Sequence, residues 1–229
     1  MNLTLNEHEI LGLAGVAGNG QKELFDVIVG VEVVTQGQIL LRGEDITHNS
    51  PLETSLKGIA SIPQDRIQQG LLMGFTVAEN LILGLHKRPS FNNKGFLNNN
   101  HIEMFAKESI ESYEIATPSP YQTTKLLSGG NLQKIILARE LSQNPKCVIA
   151  SSPTRGLDVG AMKFVHNRLV ELRQEGVGVL LISEDLDEIF NVSDRIAVMF
   201  RGKIMGVFPI DEIDVEKVGL LMAGVQEVA

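Results

Sequence analysis

Short apolar runs alternate along this chain with segments of helical spacing. The runs lie at Glu9–Val16, Lys57–Pro63, Lys146–Ser151, Gly178–Ser183 and Arg195–Phe200. Runs of this length, rich in Ile, Val and Leu, are typical of strands buried on both faces of a parallel sheet. Between them, apolar residues recur three and four positions apart over Leu132–Leu141 and Phe164–Arg173, as on the buried side of a helix. The alternation predicts an α/β fold with a mostly parallel sheet.

The middle of the chain has a different composition. Asparagines concentrate at Phe91–Gly95 and Asn98–Asn100, which predicts a solvated loop. Helical patterns flank this loop at Val77–Gly84 and His101–Tyr113, and Ile39–Arg42 predicts an antiparallel edge elsewhere. We therefore expect a small helical subdomain within an α/β core.

The two ends of the chain bear on its boundaries. Lys203–Phe208 and Val215–Met222 predict a last strand and a closing helix. At the start, strand-like alternation sets in at once at Leu3 and Leu5, so either a first strand is missing or the chain is a piece of a longer polypeptide. The expectation is one domain over residues 1–229, clipped at its N-terminus, with a core of 1–69 and 126–229 and a helical subdomain at about 70–125.

Composition and charge exclude several classes of protein. Apolar residues make up 43% and charged residues 21% of the chain, a balance typical of soluble globular domains. The longest apolar stretch, around Val177–Ile182, is far shorter than the roughly 20 residues of a membrane-spanning helix. A net charge of −8 is the wrong sign for binding a phosphate backbone, so nucleic acid is not an expected partner.

The cysteine and the histidines do not predict a metal centre. Cys147 is the only cysteine and lies in an apolar run, which indicates a buried thiol and an address in the cytosol. The histidines are scattered without the spacing of metal ligands, at His8, His48, His86, His101 and His166. No site made of metal-binding side chains is therefore expected.

A glycine-rich turn follows the first apolar run and opens a helical pattern. In that position, convergent backbone amides and a helix N-terminus can hold a phosphate. Of the pattern G-x-x-x-x-G-K-[ST], Gly15 and Gly20 match. Gln21 stands in the lysine position and Lys22 in the hydroxyl position. The candidate nucleotide-binding residues are Gly15, Gly18, Asn19, Gly20, Gln21, Lys22 and Glu23.

The two departures change the chemistry of this turn. Gln21 is neutral and cannot offset the charge of a β- or γ-phosphate, and the positive charge of Lys22 opposes a Mg²⁺ ion. Lys22 is a poor replacement for the missing lysine, because one residue along a helix rotates the side chain by about 100°. On this motif alone, a glycine turn without a ligand remains an alternative.

A second motif, Leu127–Lys134, precedes a strong helical pattern. Ser128 is expected to cap that helix, and Gly129 and Gly130 leave the following amides sterically open. A helix start with a hydroxyl and bare amides is suited to a terminal phosphate. Taken alone, the motif also fits an ordinary capped helix.

Together with Pro153–Ala161, the motif LSGGNLQK resembles those of the ATP-binding-cassette ATPases. Within them it is similar to ATP-binding proteins of bacterial simple-sugar and nucleoside importers. Gln64–Arg66 fits the family's glutamine loop, and Ser193–Ile196 with Gly202–Ile204 fits its closing strands, so the resemblance covers nearly the whole chain. It implies a P-loop NTPase fold, namely an ABC-type nucleotide-binding domain, and adds Gln64 to the candidate nucleotide-binding residues.

The resemblance also implies that this chain's own catalytic site is degenerate. In the family, the strand before the Pro-Thr pair ends in an Asp that orders Mg²⁺ and a Glu that polarises the attacking water, but Ser151 and Ser152 stand here. The family's histidine after the next strand is replaced by Glu184. Counting Gln21, four positions have lost the matching chemistry. Binding of ATP and Mg²⁺ at this site is therefore expected to be weak.

The features that the family uses across a dimer are retained. Two cassettes of the family pack head to tail, so that the signature motif of one completes the ATP site of the other. The resemblance therefore implies that a partner's nucleotide is contacted by Ser128, Gly129, Gly130 and Gln133. It also implies that Asp158 lies across the dimer interface.

These features imply the degenerate half of an importer's energy-coupling unit, on the cytoplasmic side of a bacterial membrane. The expected partners are a second cassette, in the same polypeptide or in a dimer, and permease subunits that dock near Met73–Phe75. A solute-binding protein is reached only indirectly. The alternatives are a self-sufficient ATPase that uses unconventional residues and a soluble cassette that acts on ribosomes or DNA.

Overall fold

Within residues 1–225, the part of the chain that the computed structural model describes, ten strands alternate with eight α-helices. The strands are β1 (Ile10–Ala14), β2 (Leu40–Leu41), β3 (Glu44–Asp45), β4 (Ile59–Ile62), β5 (Asn92–Asn93), β6 (Phe96–Leu97), β7 (Cys147–Ser151), β8 (Gly178–Ser183), β9 (Arg195–Phe200) and β10 (Lys203–Pro209). The helices are α1 (Gln21–Ile28), α2 (Pro51–Lys57), α3 (Val77–Leu81), α4 (Asn99–Ser112), α5 (Gly129–Leu141), α6 (Val159–Gln174), α7 (Leu186–Val192) and α8 (Val215–Met222). None of these helices has the length and hydropathy to cross a membrane.

Six of the strands form one sheet in the order β10-β9-β1-β8-β7-β4. Strands β9, β1, β8 and β7 run parallel to one another, and β10 pairs with β9 in the antiparallel sense. Every residue of β1, β7 and β8 is buried, which is why their sequences are continuous apolar runs. The predicted α/β fold with a mostly parallel sheet is confirmed. A separate antiparallel hairpin, β2–β3, lies at the predicted edge around Ile39–Arg42.

The described chain divides into two compact units. The first comprises Met1–Ser61, Pro145–Ser152 and the chain from His166 onward, and contains the six-stranded sheet apart from the last residue of β4. The second comprises Ile62–Asn144 and Pro153–Val165, with helices α3, α4 and α5. The segment predicted to form a helical subdomain lies within this second unit.

Apolar clusters pack on the sheet of the first unit. One cluster includes residues of α1 and consists of Leu11, Leu13, Phe25, Val29, Ile46, Ile59, Cys147, Ile149, Leu180, Ile182, Ala197 and Met199. The other includes residues of α7 and α8 and consists of Ala14, Ile189, Ile196, Val198, Ile213, Val218 and Leu221. Cys147 is buried as predicted, and burial raises the pKa of its thiol to about 12, so the thiol stays protonated.

Gly12 shows how closely α7 approaches the sheet. A Cβ atom at this position would lie 2.6 Å from both Ile189 Cγ2 and Ser193 Oγ. Carbon atoms in favourable contact are about 3.5–4.0 Å apart, so a side chain would displace the helix. A glycine in β1 therefore lets α7 pack directly against the strand.

Asn80 is a buried polar centre of the second unit. Its side chain is fully buried, and its Oδ1 accepts a hydrogen bond from Leu72 N at 2.8 Å. Its Nδ2 lies within hydrogen-bond distance of Leu72 O, Thr76 O and Thr124 Oγ1, at 3.0, 3.1 and 2.9 Å. One amide thus ties α3 to the segments that precede and follow it.

Replacing Asn80 with leucine, a residue of similar size, should lower the free energy of unfolding by about 2–4 kcal/mol. The change leaves Leu72 N–H and the Thr124 hydroxyl without their partner, and each such group costs about 1–3 kcal/mol. Urea unfolding followed by circular dichroism measures the effect. The exposed Asn93 is the control, since Asn93→Leu should change stability by less than about 0.5 kcal/mol. Equal effects of the two substitutions would show that the buried network does not stabilise the unit.

The asparagine-rich stretch is more regular than predicted. Asn92–Asn93 and Phe96–Leu97 pair as the antiparallel hairpin β5–β6. Lys94 and Gly95 form its turn with φ of 51° and 93°, as a type I′ turn requires. Asn92 Oδ1 accepts a hydrogen bond from Gly95 N at 2.8 Å. The prediction of a loop is wrong here because the left-handed turn and this side-chain hydrogen bond stabilise a short hairpin.

At the start of the chain, Leu3 and Leu5 do not form a strand. Strand β1 begins only at Ile10, after a turn in which His8 has a φ of 58°. Leu3 and Leu5 are partly buried and pack against the first apolar cluster. Their alternation therefore reflects the packing of an irregular segment, and the strand predicted from Glu9–Val16 begins at Ile10.

Candidate nucleotide site and signature helix

Three candidate segments of the first unit meet at one edge of the sheet. The glycine-rich loop follows β1, Ser152 follows β7 and Glu184 follows β8. These strands are parallel neighbours, with Ala14 of β1 opposite Ser183 of β8. Their carboxyl ends therefore lie side by side, where ligands bind in open α/β sheets.

The glycine-rich loop is held in place by Asn19. Asn19 N and Nδ2 both donate to Val16 O, at 3.2 and 2.9 Å. The turn between β9 and β10 binds the same residue, because Arg201 N donates to Asn19 Oδ1 at 2.8 Å and Gly202 N to Asn19 O at 2.7 Å. Gly20 has a φ of 109°, a left-handed conformation that favours glycine, and α1 begins at the next residue. The loop is therefore a fixed strand-to-helix turn.

Gln21 folds back onto this loop. The residue is only 8% exposed, and its Nε2 donates to Val16 O at 3.2 Å. A Cβ atom on Gly15 would lie 2.5 Å from Gln21 Nε2, so the amide fills space that only a glycine leaves open. Gln21 Oε1 is buried and has no hydrogen-bond partner within residues 1–225. A neutral group bonded to the loop's own carbonyl therefore occupies the lysine position of the pattern.

Lys22 is engaged within its own helix. Its ammonium forms an ion pair with the buried carboxylate of Asp26, one turn further along α1. The hydrogen bond to Asp26, reinforced by its charge, raises the pKa of Lys22. Glu23 is exposed on the same turn. The charge of Lys22 is therefore paired with a carboxylate of its own helix.

The end of β7 carries hydroxyl groups where the resemblance implied acids. Ser151 is the buried last residue of the strand, and Ser152 follows with a φ of 41°, which is uncommon for a residue with a side chain. Ser152 N donates to Ile182 O at 2.7 Å and so fixes the backbone at this point. Glu184 is exposed after β8, and the neighbouring Asp185 caps α7. Serines here supply neither a negative charge for a metal ion nor a general base.

The residues at this sheet edge fit a phosphate better than a metal ion. Open amides at the start of α1 are suitable donors for an anion. Mg²⁺ prefers carboxylate and other oxygen ligands in near-octahedral geometry, and the positions implied for its ligands hold Lys22 and Ser151. Within the described chain, no group of three or more His, Cys, Asp or Glu side chains is placed to hold a metal ion.

In the second unit, α5 begins at Gly129. Ser128 occupies the N-cap position as expected, but its Oγ accepts no hydrogen bond from the helix backbone. It accepts instead from Asn131 Nδ2 at 2.9 Å, and Asn131 is itself held by Ala116 N, which donates to its Oδ1 at 2.7 Å. The first amides of α5 therefore have neither an intrahelical partner nor a side-chain cap, so they can bind an anion.

Arg66 places a cation beside the same helix start. It opens a short π-helical turn, Arg66–Gly70. Arg66 Nη1 donates to Arg155 O at 2.7 Å, and Nη2 lies 3.5 Å from Gly156 O. A Cβ atom on Gly129 would lie 3.1 Å from Arg66 Nη2, so the guanidinium lies next to the first residue of α5. Its charge favours an anion at this position.

Gly130 and Asp158 lie where α5 and α6 begin. Asp158 Oδ1 accepts a hydrogen bond from Ala161 N at 2.9 Å and so stabilises the start of α6. A Cβ atom on Gly130 would lie 3.0 Å from Ala161 Cβ and 3.8 Å from Asp158 Oδ2. The second unit thus brings Asp158 close to the start of α5.

Two other candidate residues lie away from these groups. Gln133 is on α5 but is only 2% exposed, and its Nε2 is buried without a partner among the described residues. Its side chain is therefore buried, unlike that of Ser128 at the start of the helix. Gln64 is half-buried, two residues beyond the end of β4.

Arg66 and Asn131 lie within two of the motifs but were not among the candidate site residues predicted from the sequence. Arg66 stands two residues after Gln64, and its contacts are with residues far along the chain. Asn131 stands three residues after Ser128, the spacing at which side chains on a helical turn meet. That spacing was the one available signal for Asn131.

Comparison with known proteins identifies the family. The family model described as ABC transporter matches residues 1–155. The chain is 42% identical over 224 residues to the nucleoside import ATP-binding protein NupA of Lactococcus lactis subsp. cremoris, covering 98% of this chain and 44% of that protein. Identity and coverage are the same for the guanosine import ATP-binding protein NupO of Bacillus subtilis. The ribose import ATP-binding protein RbsA of Caldanaerobacter subterraneus is 38% identical over 98% of this chain and 45% of its own length. The chain spans less than half the length of these relatives.

Solved structures agree with this result at the level of the fold. A nucleotide-free ATP-binding cassette from an ABC transporter superposes with a TM-score of 0.77 at 24% identity, covering 98% of this chain and 91% of that one. The ADP- and phosphate-bound dimer of the cassette MJ0796 gives a TM-score of 0.76 at 22% identity, over 92% and 89% of the two chains. With the glycine-rich loop and the signature helix in their places, the chain belongs to the ABC transporter family, as an ATP-binding cassette.

Proposed function

We propose that the chain is the degenerate cassette of an importer for simple sugars or nucleosides, and that it completes the ATP site of a partner cassette. NupA, NupO and RbsA are named as import ATP-binding proteins for nucleosides, guanosine and ribose. Their identity to this chain supports the same broad role. The open start of α5 is the observation that carries the division of labour between the two cassettes.

The chain's own site lacks the charges that hydrolysis requires. Gln21 is neutral and bonded to the loop, and the charge of Lys22 is paired with Asp26. Ser151 and Ser152 offer no carboxylate to order Mg²⁺ or to polarise water. We therefore infer that ATP is held weakly at this site, through backbone amides, and that Mg²⁺ is held poorly or not at all.

The signature helix has the donors that a terminal phosphate needs. The Ser128 hydroxyl is exposed, and the amides at the start of α5 have no cap. Arg66 adds a positive charge beside Gly129. These groups lie on elements fixed by buried contacts, such as Arg139 Nη1 donating to Gly70 O at 2.9 Å. A partner's γ-phosphate would therefore meet donors that are already in position.

An exposed apolar segment in the second unit is proposed as the contact with permease subunits. Leu72 and Phe75 are both exposed beside the half-buried Met73. The segment around Leu126, also exposed, lies next to them, since Lys125 N donates to Met73 O at 3.1 Å. Docking through this surface would hold the cassette on the cytoplasmic face of the membrane. A solute-binding protein would then be reached only through the permease.

The unequal roles of the two cassettes can be tested in the assembly purified from membranes with its partner cassette and permease. Ser128→Ala should lower kcat for ATP about 100-fold, because one preorganised donor at a developing charge is worth about 10²–10³ in kcat. Ser152→Ala should change kcat less than about twofold. Ser152 stands where the family is expected to have an acid, and its hydroxyl is not expected to take part in catalysis. Phosphate release and uptake of labelled solute are the two measurements.

Both variants must first be shown to assemble, by size-exclusion chromatography. Equal sensitivity to Ser128→Ala and Ser152→Ala would show that this chain's own site is catalytic. An assembly that tolerates Ser128→Ala would show that the signature helix does not act on a partner's nucleotide. Either outcome contradicts the proposal.

A further inference from the structure

The side-chain amide of Asn131 has a defined orientation. Ala116 N can only donate, so the atom it contacts at 2.7 Å must be the oxygen, Oδ1. The nitrogen of the same amide then faces Ser128 Oγ at 2.9 Å. Asn131 is therefore a donor to the serine hydroxyl, since the opposite arrangement would set the amide NH₂ group against the N–H of Ala116.

This contact determines which way the serine hydroxyl can act. A hydroxyl has one hydrogen to donate and two lone pairs that accept. Asn131 occupies a lone pair of Ser128 Oγ, so the hydrogen must point to another group. Within residues 1–225, the structure shows no acceptor for that hydrogen, and Ser128 is exposed. The hydroxyl is thus held as a donor toward solvent.

The amides at the start of the helix are open as well. An N-cap serine ordinarily uses its Oγ to accept a hydrogen bond from the second or third amide of the helix. Here Oγ is engaged by the Asn131 side chain, and Ser128 makes no such bond to α5. A hydroxyl hydrogen and backbone amides are therefore both available at the helix start.

We propose that Asn131 is a positioning residue for the reaction at the partner's ATP, and that it acts through Ser128. By donating to Ser128 Oγ, Asn131 directs the hydroxyl hydrogen away from its own amide and toward the γ-phosphate. This inference rests on the proposed function, in which Ser128 contacts the partner's nucleotide. Its consequence is that the effect of Asn131 on turnover requires the Ser128 hydroxyl.

The test is a double-mutant cycle in the purified assembly. Asn131→Asp keeps the oxygen that accepts from Ala116 N but replaces the donor to Ser128 Oγ with an acceptor, which takes the hydroxyl hydrogen away from the phosphate. We expect kcat to fall at least about tenfold, the value of one hydrogen bond to a charged group, with KM for ATP changed less than about threefold. In the Ser128→Ala background, Asn131→Asp should lower kcat less than about threefold.

Asn131→Leu removes the hydrogen bonds without adding charge, and it should follow the same non-additive pattern with a smaller loss. Asn99→Asp, an exposed change of the same chemistry at the start of α4, is the control for charge and should leave kcat unchanged.

Equal losses from Asn131→Asp with and without Ser128 would overturn the inference, as would full activity of both Asn131 variants. If Ser128→Ala alone had no effect, the proposed function would fail first, and the role of Asn131 with it. The two failures are therefore distinguishable.

Discussion

Replacing Gly130 with aspartate should reduce ATP hydrolysis by the paired assembly about 1,000-fold or more. A Cβ atom at this position already lies 3.0 Å from Ala161 Cβ, so any side chain pushes the starts of α5 and α6 apart. The aspartate would also bring a carboxylate to the helix start that we propose contacts the partner's γ-phosphate. Loss of one donor costs about 10²–10³ in kcat, and like-charge repulsion adds to that loss.

A graded series separates the two causes. Gly130→Ala tests the added Cβ alone, and Gly130→Asn has nearly the size of aspartate without its charge. We expect kcat to fall in the order alanine, asparagine, aspartate, measured as phosphate release by assemblies of equal purity and similar melting temperature. An aspartate variant that kept more than a tenth of the original rate would show that the start of α5 does not face the reacting phosphate.

The chain purified without a partner should hydrolyse ATP more slowly than about 0.01 s⁻¹, at least 100-fold below the roughly 1 s⁻¹ of a modest enzyme. Its sheet edge holds Ser151 and Ser152 where the resemblance implies acids, and Gln21 is bonded to the loop carbonyl. Transfer of a phosphoryl group depends on positioned positive charge and Mg²⁺. Neither is supplied by these residues.

Restoring a single acid should not rescue the isolated chain. Ser152→Glu places a long side chain on a residue with a φ of 41°, a conformation that disfavours it. The variant also retains Gln21 and the exposed carboxylate of Glu184. The assay is phosphate release, with the complete assembly as the positive control. Turnover on the order of 1 s⁻¹ by the unmodified chain or by Ser152→Glu would contradict a degenerate site.

Most of the strands in the central sheet could be predicted from the local pattern of apolar residues. Continuous apolar runs predicted β1, β4 and β7–β9, because residues buried on both faces of a sheet must be apolar whatever their partners are. The order of strand, glycine-rich turn and helix likewise predicted that Gly15 and Gly20 lie in the loop between β1 and α1. At Leu3 and Leu5, strand-like spacing reflects packing without strand pairing. The prediction of a loop failed at Asn92–Gly95, where a left-handed turn decided the structure.

Residue chemistry, set beside the family resemblance, was enough to predict that Gln21, Ser151, Ser152 and Glu184 stand where the family has a lysine, two acids and a histidine, because the loss of a charge does not depend on conformation. Tertiary structure decided what the replacing residues do. Gln21 bonds to Val16 O, Arg66 reaches a carbonyl 89 residues away, and Ala116 orients Asn131 so that Ser128 is left as a donor. When a side chain has several possible hydrogen-bond partners, the folded structure determines which of them lies close enough to bond. Partners brought together from distant parts of the chain leave no trace in local spacing.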